Sequence, residues 1–211
     1  MADFIRARSD EQKEQRLAEI KRATSELFEG HPYHEITLTT IAERLGWSRA
    51  NLYKYASTKE EIFLLLAQDQ MDSYFDALMA AFPQGCGLDA PVIAEVWAGI
   101  ANAHQQYFRI GDILLTIVET NVTIDRLIAF KGDYYKRHDA LAARLADLLH
   151  EDEARSAWTI EAVYTHAVGL VSSCANNPLV TQALEALGIE RRNVDFRSEM
   201  RDFILMCLER R

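Results

Sequence analysis

Residues 38–57 read LTTIAERLGWSRANLYKYAS. A small residue, Ala42, is followed four positions later by Gly46, with apolar side chains at Ile41, Leu45, Leu52 and Tyr55. Each suits one place in a helix-turn-helix. Ala42 belongs where two helices cross closely, because a larger side chain would part them. Gly46 supplies the left-handed backbone of the tight turn. Ile41, Leu45 and Leu52 form the shared core that sets the interhelical angle. Ser48 caps the second helix and directs its first turn, Arg49-Ala50-Asn51, outward toward a groove. An ordinary helical hairpin with a glycine turn has the same spacing, so the surrounding residues carry the weight. Thr37 or Thr39 caps the first helix and offers hydroxyl and N–H groups to a phosphate. Ser48, Arg49, Asn51 and Lys54 put donors on the exposed face, where a packed hairpin has no use for them. Of Tyr53 and Tyr55, one is expected to pack inward and the other to present its hydroxyl to a phosphate.

Helical periodicity continues on both sides. Upstream, Leu17, Ile20, Leu27 and Phe28 share one face of a segment over about 10–29. Gly30 then suits a helix end of positive φ, and Pro32 prevents continuation. Two short helices are expected at about 37–45 and 48–55. A longer one opens after Ser57-Thr58, with Lys59-Glu60-Glu61 in its first turn, and runs to about Ala81. Phe82-Pro83-Gln84-Gly85-Cys86-Gly87 is a linker. Beyond it the pattern predicts helices near 90–106, 107–120, 124–150, 154–175, 178–187 and 194–210, with Gly188 and Asn193 as punctuation. The fold class is all-α: an N-terminal three-helix head over residues 1–60, joined by a long helix to a larger helical domain over 61–211.

The 211 residues are 49% hydrophobic and 26% charged, which suits a globular chain able to bury a core without disulfide or metal. No apolar run reaches membrane-spanning length, and the start has no apolar signal region. Cys86, Cys174 and Cys207 lack CxxC spacing and read as thiols of a reducing, cytoplasmic compartment. The net charge of −9 is unevenly spread. Residues 1–60 hold ten Lys or Arg and ten Asp or Glu, so all the acidity lies in 61–211. An acidic body repels polyanions, so contact with DNA must come from a few cations near the N-terminus.

The run Thr37, Ile41, Ala42, Leu45, Gly46, Ser48, Leu52, Tyr53, Tyr55, Lys59, Glu60 and Ile62 resembles the tetracycline-repressor (TetR) family of bacterial transcription regulators. The resemblance is specific over about residues 12–65. Trp47 and Ala56 depart from it: the family usually has Val or Ile after the turn glycine and Phe at the second place. Packing under the recognition helix must then come from elsewhere, with Trp47 a candidate. The resemblance implies a homodimer on a palindromic operator, released by a small-molecule effector held in the C-terminal domain. It also implies phosphate contacts at Tyr53 and Lys59, and base reading by residues among Arg49, Ala50, Asn51 and Lys54. The helices near 154–175 and 194–210 correspond to those that meet their symmetry mates in a four-helix bundle, so the apolar stripe Phe196, Met200, Phe203 and Cys207, with the helix near 154–175, is expected to form the dimer interface.

The second half is rich in amphipathic aromatics within apolar helices. Core packing accounts for most, and a ligand cavity is a locally underfilled core. The expected walls are Trp97, Phe108, Ile117 and Tyr134. The expected polar anchors are His104, Glu119, Asn121, His138, Tyr164 and His166, because an unpartnered polar group in a core costs about 1–3 kcal/mol. No cluster of cations accompanies them, so the effector is expected to be apolar and neutral or cationic. No metal, cofactor or catalytic constellation is expected. His31 and His34 lack a third ligand, and Ser172, Ser173 and Cys174 near His166 lack a nucleophile elbow. The alternatives are a helical protein-interaction adaptor with a decayed helix-turn-helix, and a ligand-independent regulator or an activator. Retained donors at Arg49, Asn51, Lys54 and Lys59 weigh against the adaptor.

Overall fold

The computed structural model describes residues 2–174, 178–190 and 193–209, with side chains described from Glu11 onward except that of Pro178. Every regular element among them is helical. In chain order these are α1 (Ala2–Gly30), α2 (Leu38–Leu45), α3 (Arg49–Leu52), α4 (Lys59–Ala81), α5 (Ala90–Ala103), α6 (Gln105–Ile113), α7 (Ile124–Leu149), α8 (Glu153–Cys174), α9 (Pro178–Ala186) and α10 (Phe196–Glu209). A three-residue 3₁₀ turn, Tyr33–Glu35, precedes α2. Among the described residues no helix is long and apolar enough to cross a membrane. Positions 175 and 210, expected to end two helices, lie outside the described residues.

The chain forms two compact units. One comprises Met1–Asp69 and Leu114–Ile128, the other Gln70–Ile113 and Ala129–Arg211. In the first unit Ile20, Phe28, Ile36, Ile41, Leu52, Ile62 and Phe63 are buried. Phe28 and Tyr33 both set their rings edge-on to Phe63, with centroids 5.1 and 5.0 Å away. Thr24, also buried, returns its hydroxyl to the carbonyl of Ile20 at 2.8 Å. In the second unit α10 packs on α5 and α8, and α6 on α8. Trp97, Phe108, Leu141, Val163, Met200 and Ile204 fill its core. Gly111 is required there: a Cβ at this position would lie 2.6 Å from Tyr164 Oη and 2.8 Å from Val168 Cγ2.

Several local expectations are corrected. Gly30 is the last residue of α1 and is not among the positive-φ glycines, because the His31 N–H still reaches the Leu27 carbonyl at 2.9 Å. Pro32, in extended backbone, is what ends the helix. The second helix of the motif spans only Arg49–Leu52; tight turns carry the chain to Ala56. The expected helices at 90–106 and 107–120 break at His104 instead. After α6 the chain widens into a π-helical turn, Leu114–Val118, then a 3₁₀ turn, Glu119–Asn121. This turn buries Leu114 and Val118 and leaves Leu115 outside. Periodicity cannot foresee it, since a run of apolar residues fits a helix of any pitch.

Candidate nucleic-acid interface

Local chemistry defines the α2–α3 unit. The Thr37 hydroxyl accepts from the Thr40 N–H at 3.1 Å, and the Thr40 hydroxyl accepts from the Thr37 N–H at 2.9 Å. This reciprocal box closes the start of α2. Thr37, and not Thr39, is the cap; Thr39 sits half-buried in the first turn. At the other end Gly46 adopts φ 68°, ψ 27°, and the Trp47 N–H reaches back to the Ala42 carbonyl at 2.8 Å. Ser48 caps α3 by accepting from the Asn51 N–H at 3.2 Å. Ile41, Ala42 and Leu52 are buried between the helices, and Leu45 is half-buried.

The outward face follows from that frame. Ser48, Arg49, Ala50 and Lys54 are exposed, and Asn51 is half-buried. Arg49 donates to the Tyr53 hydroxyl at 2.9 Å, with its guanidinium 5.6 Å from the ring centre. Tyr53 is 47% exposed and is thus the outward tyrosine. Tyr55 packs inward on Trp47, ring centres 5.9 Å apart, and Arg16 of α1 lies over the other ring at 5.1 Å. Trp47 therefore supplies packing beneath this helix, while Ala56 is buried.

Lys59 is placed differently from a free surface cation. Its ammonium donates to the carbonyls of Tyr33 at 2.9 Å and Ile36 at 2.8 Å, and lies 3.8 Å from the Tyr33 ring centre. Burial lowers its pKa, opposed by the charge of Glu60. Two of the ammonium's three N–H groups are thus engaged by carbonyls. The Tyr33 hydroxyl donates to Glu60 at 2.5 Å, and burial with that carboxylate raises the phenol's pKa. Glu61, buried, accepts the Ser57 N–H at 2.8 Å and pairs with Arg126 at 3.4 Å. The donors are thus held on a rigid frame.

The expected effector residues are only partly brought together. Trp97 and Phe108 are buried; Trp97 donates its indole N–H to the Tyr74 hydroxyl at 2.6 Å. Tyr164 packs on Tyr107 and Phe108. Tyr134 packs against His138, 5.7 Å between ring centres. His138 is 4% exposed; Nδ1 lies 3.1 Å from Asp139 Oδ1, and Nε2 is buried with no hydrogen-bond partner among the described residues. His104 is satisfied by the Ile100 carbonyl at 2.8 Å and the Ser73 hydroxyl at 3.2 Å. Ile117, Glu119 and Asn121 belong to the other compact unit, where Asn121 donates to the Ile117 carbonyl at 2.8 Å. His166 also leaves the group: it stacks on Phe203, 3.8 Å between ring centres, on a face shared by α8 and α10.

Tyr74, which was not expected, joins the cluster beside Tyr107, one of the amphipathic aromatics of the second half. The α4 stripe Ala67, Met71, Tyr74, Phe75, Leu78 was the signal for Tyr74. Burial raises the pKa of Tyr74 and of Tyr107, and burial with Glu161 raises that of Tyr134 to about 12. All three are neutral phenols at physiological pH.

The geometry of α2–α3 has its counterpart in known proteins. Residues 20–66 match the pattern described as bacterial regulatory proteins, tetR family, and residues 68–209 match the tetracyclin repressor-like C-terminal domain. The chain belongs to the TetR family. It carries the family's helix-turn-helix domain, and members of the family are DNA-binding regulators, not enzymes. Among curated proteins it is similar to the nucleoid occlusion factor SlmA of Idiomarina loihiensis, 28% identical over 145 residues. That match takes in 68% of this chain and 65% of the relative's length. Among solved structures it is similar to the fatty acid degradation regulator FadR from Bacillus halodurans. The TM-score is 0.59 at 12% identity, over 92% of this chain and 94% of that one, a likeness of fold alone.

Proposed function

We propose that this regulator is a repressor that binds a palindromic operator as a homodimer in the cytoplasm and leaves it when a small molecule binds. The observation that carries the reading is the exposed first turn of α3, with Arg49 braced on Tyr53 and Ser48 holding the helix start. In this reading residues 1–60 read DNA, and residues 61–211 carry the effector site and the dimer face. Thr37, Thr39, Tyr53 and Lys59 serve phosphates, while Arg49, Ala50 and Asn51, in the outward first turn, face base edges, with Lys54 following beyond the end of α3. Arg can pair with guanine and Asn with adenine, each worth about 1–3 kcal/mol of discrimination.

The dimer face is the outer side of α8 and α10. Phe196, Met200 and Cys207 were expected in that interface but are buried within the chain, against α5 and α8. Left outside are Trp158, 41% exposed, and Met206, 57% exposed. With Ala162 and Phe203 they line a groove of about 770 Å³. A self-complementary face of this kind suits two-fold pairing. The effector site is the aromatic group of Trp97, Phe108, Tyr134 and Tyr164, with the bare Nε2 of His138 as its polar anchor. These residues include no Lys or Arg, which favours an apolar effector that is neutral or cationic.

The test is selection of binding sites by the full chain from a randomised duplex pool. An enriched inverted repeat is expected, with Arg49→Ala relaxing one position in each half-site. Enrichment of an asymmetric site would refute the dimeric reading, and no enrichment would refute operator recognition.

A further inference from the structure

Outside the base-facing turn, the first compact unit has a second polar concavity. It lies between α1 and the turns that follow α3 and encloses about 690 Å³. Its charged lining is Lys13, Arg16 and Glu19 from α1 and Lys54 from beyond α3, an excess of two positive charges. This excess stands out in a chain of net charge −9. Spacings of three and four along α1 put Gln12, Arg16 and Glu19 on one helix face.

The cations differ in state. Arg16 is fixed: it pairs with Glu19 at 2.8 Å and lies over Trp47. It is a positioning group that joins α1 to the helix-turn-helix. Lys13 and Lys54 are exposed and have no ion-pair partner among the described residues. Gln12, Gln15 and Tyr55 add neutral donors to the same walls. Ammonium and amide donors around an open concavity match a tetrahedral oxyanion.

We propose that this cleft is a phosphate-binding subsite, in which Lys13 and Lys54 hold the backbone of duplex DNA next to the stretch read by α3. It rests on the DNA-binding reading and adds to it a contact made by α1. The physical need is plain. The recognition helix is one turn long, Arg49 is shared with Tyr53, and Lys59 is shared with two carbonyls, so the head's remaining cations must neutralise phosphate. Lys54 then acts from the end of the recognition segment and Lys13 from across the cleft.

The experiment measures affinity of the full chain for a fluorescent mixed-sequence duplex over a series of KCl concentrations. The proteins are wild type, Lys13→Gln/Lys54→Gln, the double Arg variant at the same positions, and Lys136→Gln as an exposed cation of the other unit. Each phosphate contact contributes about 0.9 to the slope of log affinity against log salt, so the double Gln variant should lose about 1.8 per head. The double Arg variant should keep the wild-type slope, and Lys136→Gln should not change it. A wild-type slope in the double Gln variant overturns the subsite and leaves the DNA reading intact. A wild type that binds no duplex overturns both. An equal loss in Lys136→Gln means bulk charge and overturns the subsite. Calorimetry with inorganic phosphate separates the sources: heats abolished in the double Gln variant without a change of slope assign the cleft to a free anion, against this proposal.

Discussion

Replacing Lys59 by Met is expected to loosen the head before it touches DNA binding. The ammonium bridges the carbonyls of Tyr33 and Ile36, tying the 3₁₀ turn after α1 to the start of α4. At a half-exposed position each of these bonds contributes about 1 kcal/mol. The cation over the Tyr33 ring adds about 0.5 kcal/mol. Freeing the long side chain returns about 1 kcal/mol of entropy, so Lys59→Met should cost about 1.5 kcal/mol. The assay is urea unfolding followed by Trp47 fluorescence in a Trp97→Phe/Trp158→Phe background, where Trp47 reports the first unit alone. The midpoint should fall, with hydrogen exchange quickened at Ile36, whose N–H bonds the Tyr33 carbonyl at 3.2 Å. A lysine serving only phosphate would behave as an ordinary surface residue, within about 0.5 kcal/mol of neutral. An unchanged midpoint together with weakened duplex binding would refute the bridging role.

Other outcomes follow from the second unit. Gly111→Ala should destabilise by about 1–2 kcal/mol despite Ala's better helix propensity, because its Cβ meets both Tyr164 and Val168; equal or greater stability in thermal unfolding would show that α6 and α8 separate freely. Burial lowers the pKa of His166, with Glu199 opposing. Its contribution is therefore complete above the unfolded value near 6.5 and lost as pH falls through that value toward the folded one. His166→Asn should accordingly lose less stability than wild type between pH 7 and pH 5, and parallel losses would contradict the stacked, neutral imidazole. Trp158→Glu should leave a folded monomer in sedimentation, whereas Phe196→Ala should lower stability and spare association; a dimeric Trp158→Glu would move the interface elsewhere.

Much of the first unit was legible because its determinants are local. Thr37, Gly46 and Ser48 act on backbone within a few residues, so their capping and turn roles can be read from spacing alone. The family read from the same residues is matched over residues 20–66 and, beyond the motif, over residues 68–209. The all-α class was equally plain, since periodicity and scarce Gly and Pro act along single helices.

What only the tertiary structure decided is which faces meet. Sequence periodicity marks Phe196, Met200, Phe203 and Cys207 as one apolar stripe, yet three are buried within the chain and Phe203 stays at the surface with Trp158. Lys59 reads as a surface cation until the turn after α1 folds under it. Ile117, Glu119 and Asn121 read as neighbours of Trp97 until the π-helical turn assigns them to the other compact unit. A side chain's surroundings are set by residues distant in sequence, and one chain records its own pattern but not its partners' positions. Capping and turning are settled within a few bonds, whereas burial and pairing are settled by the whole packed core.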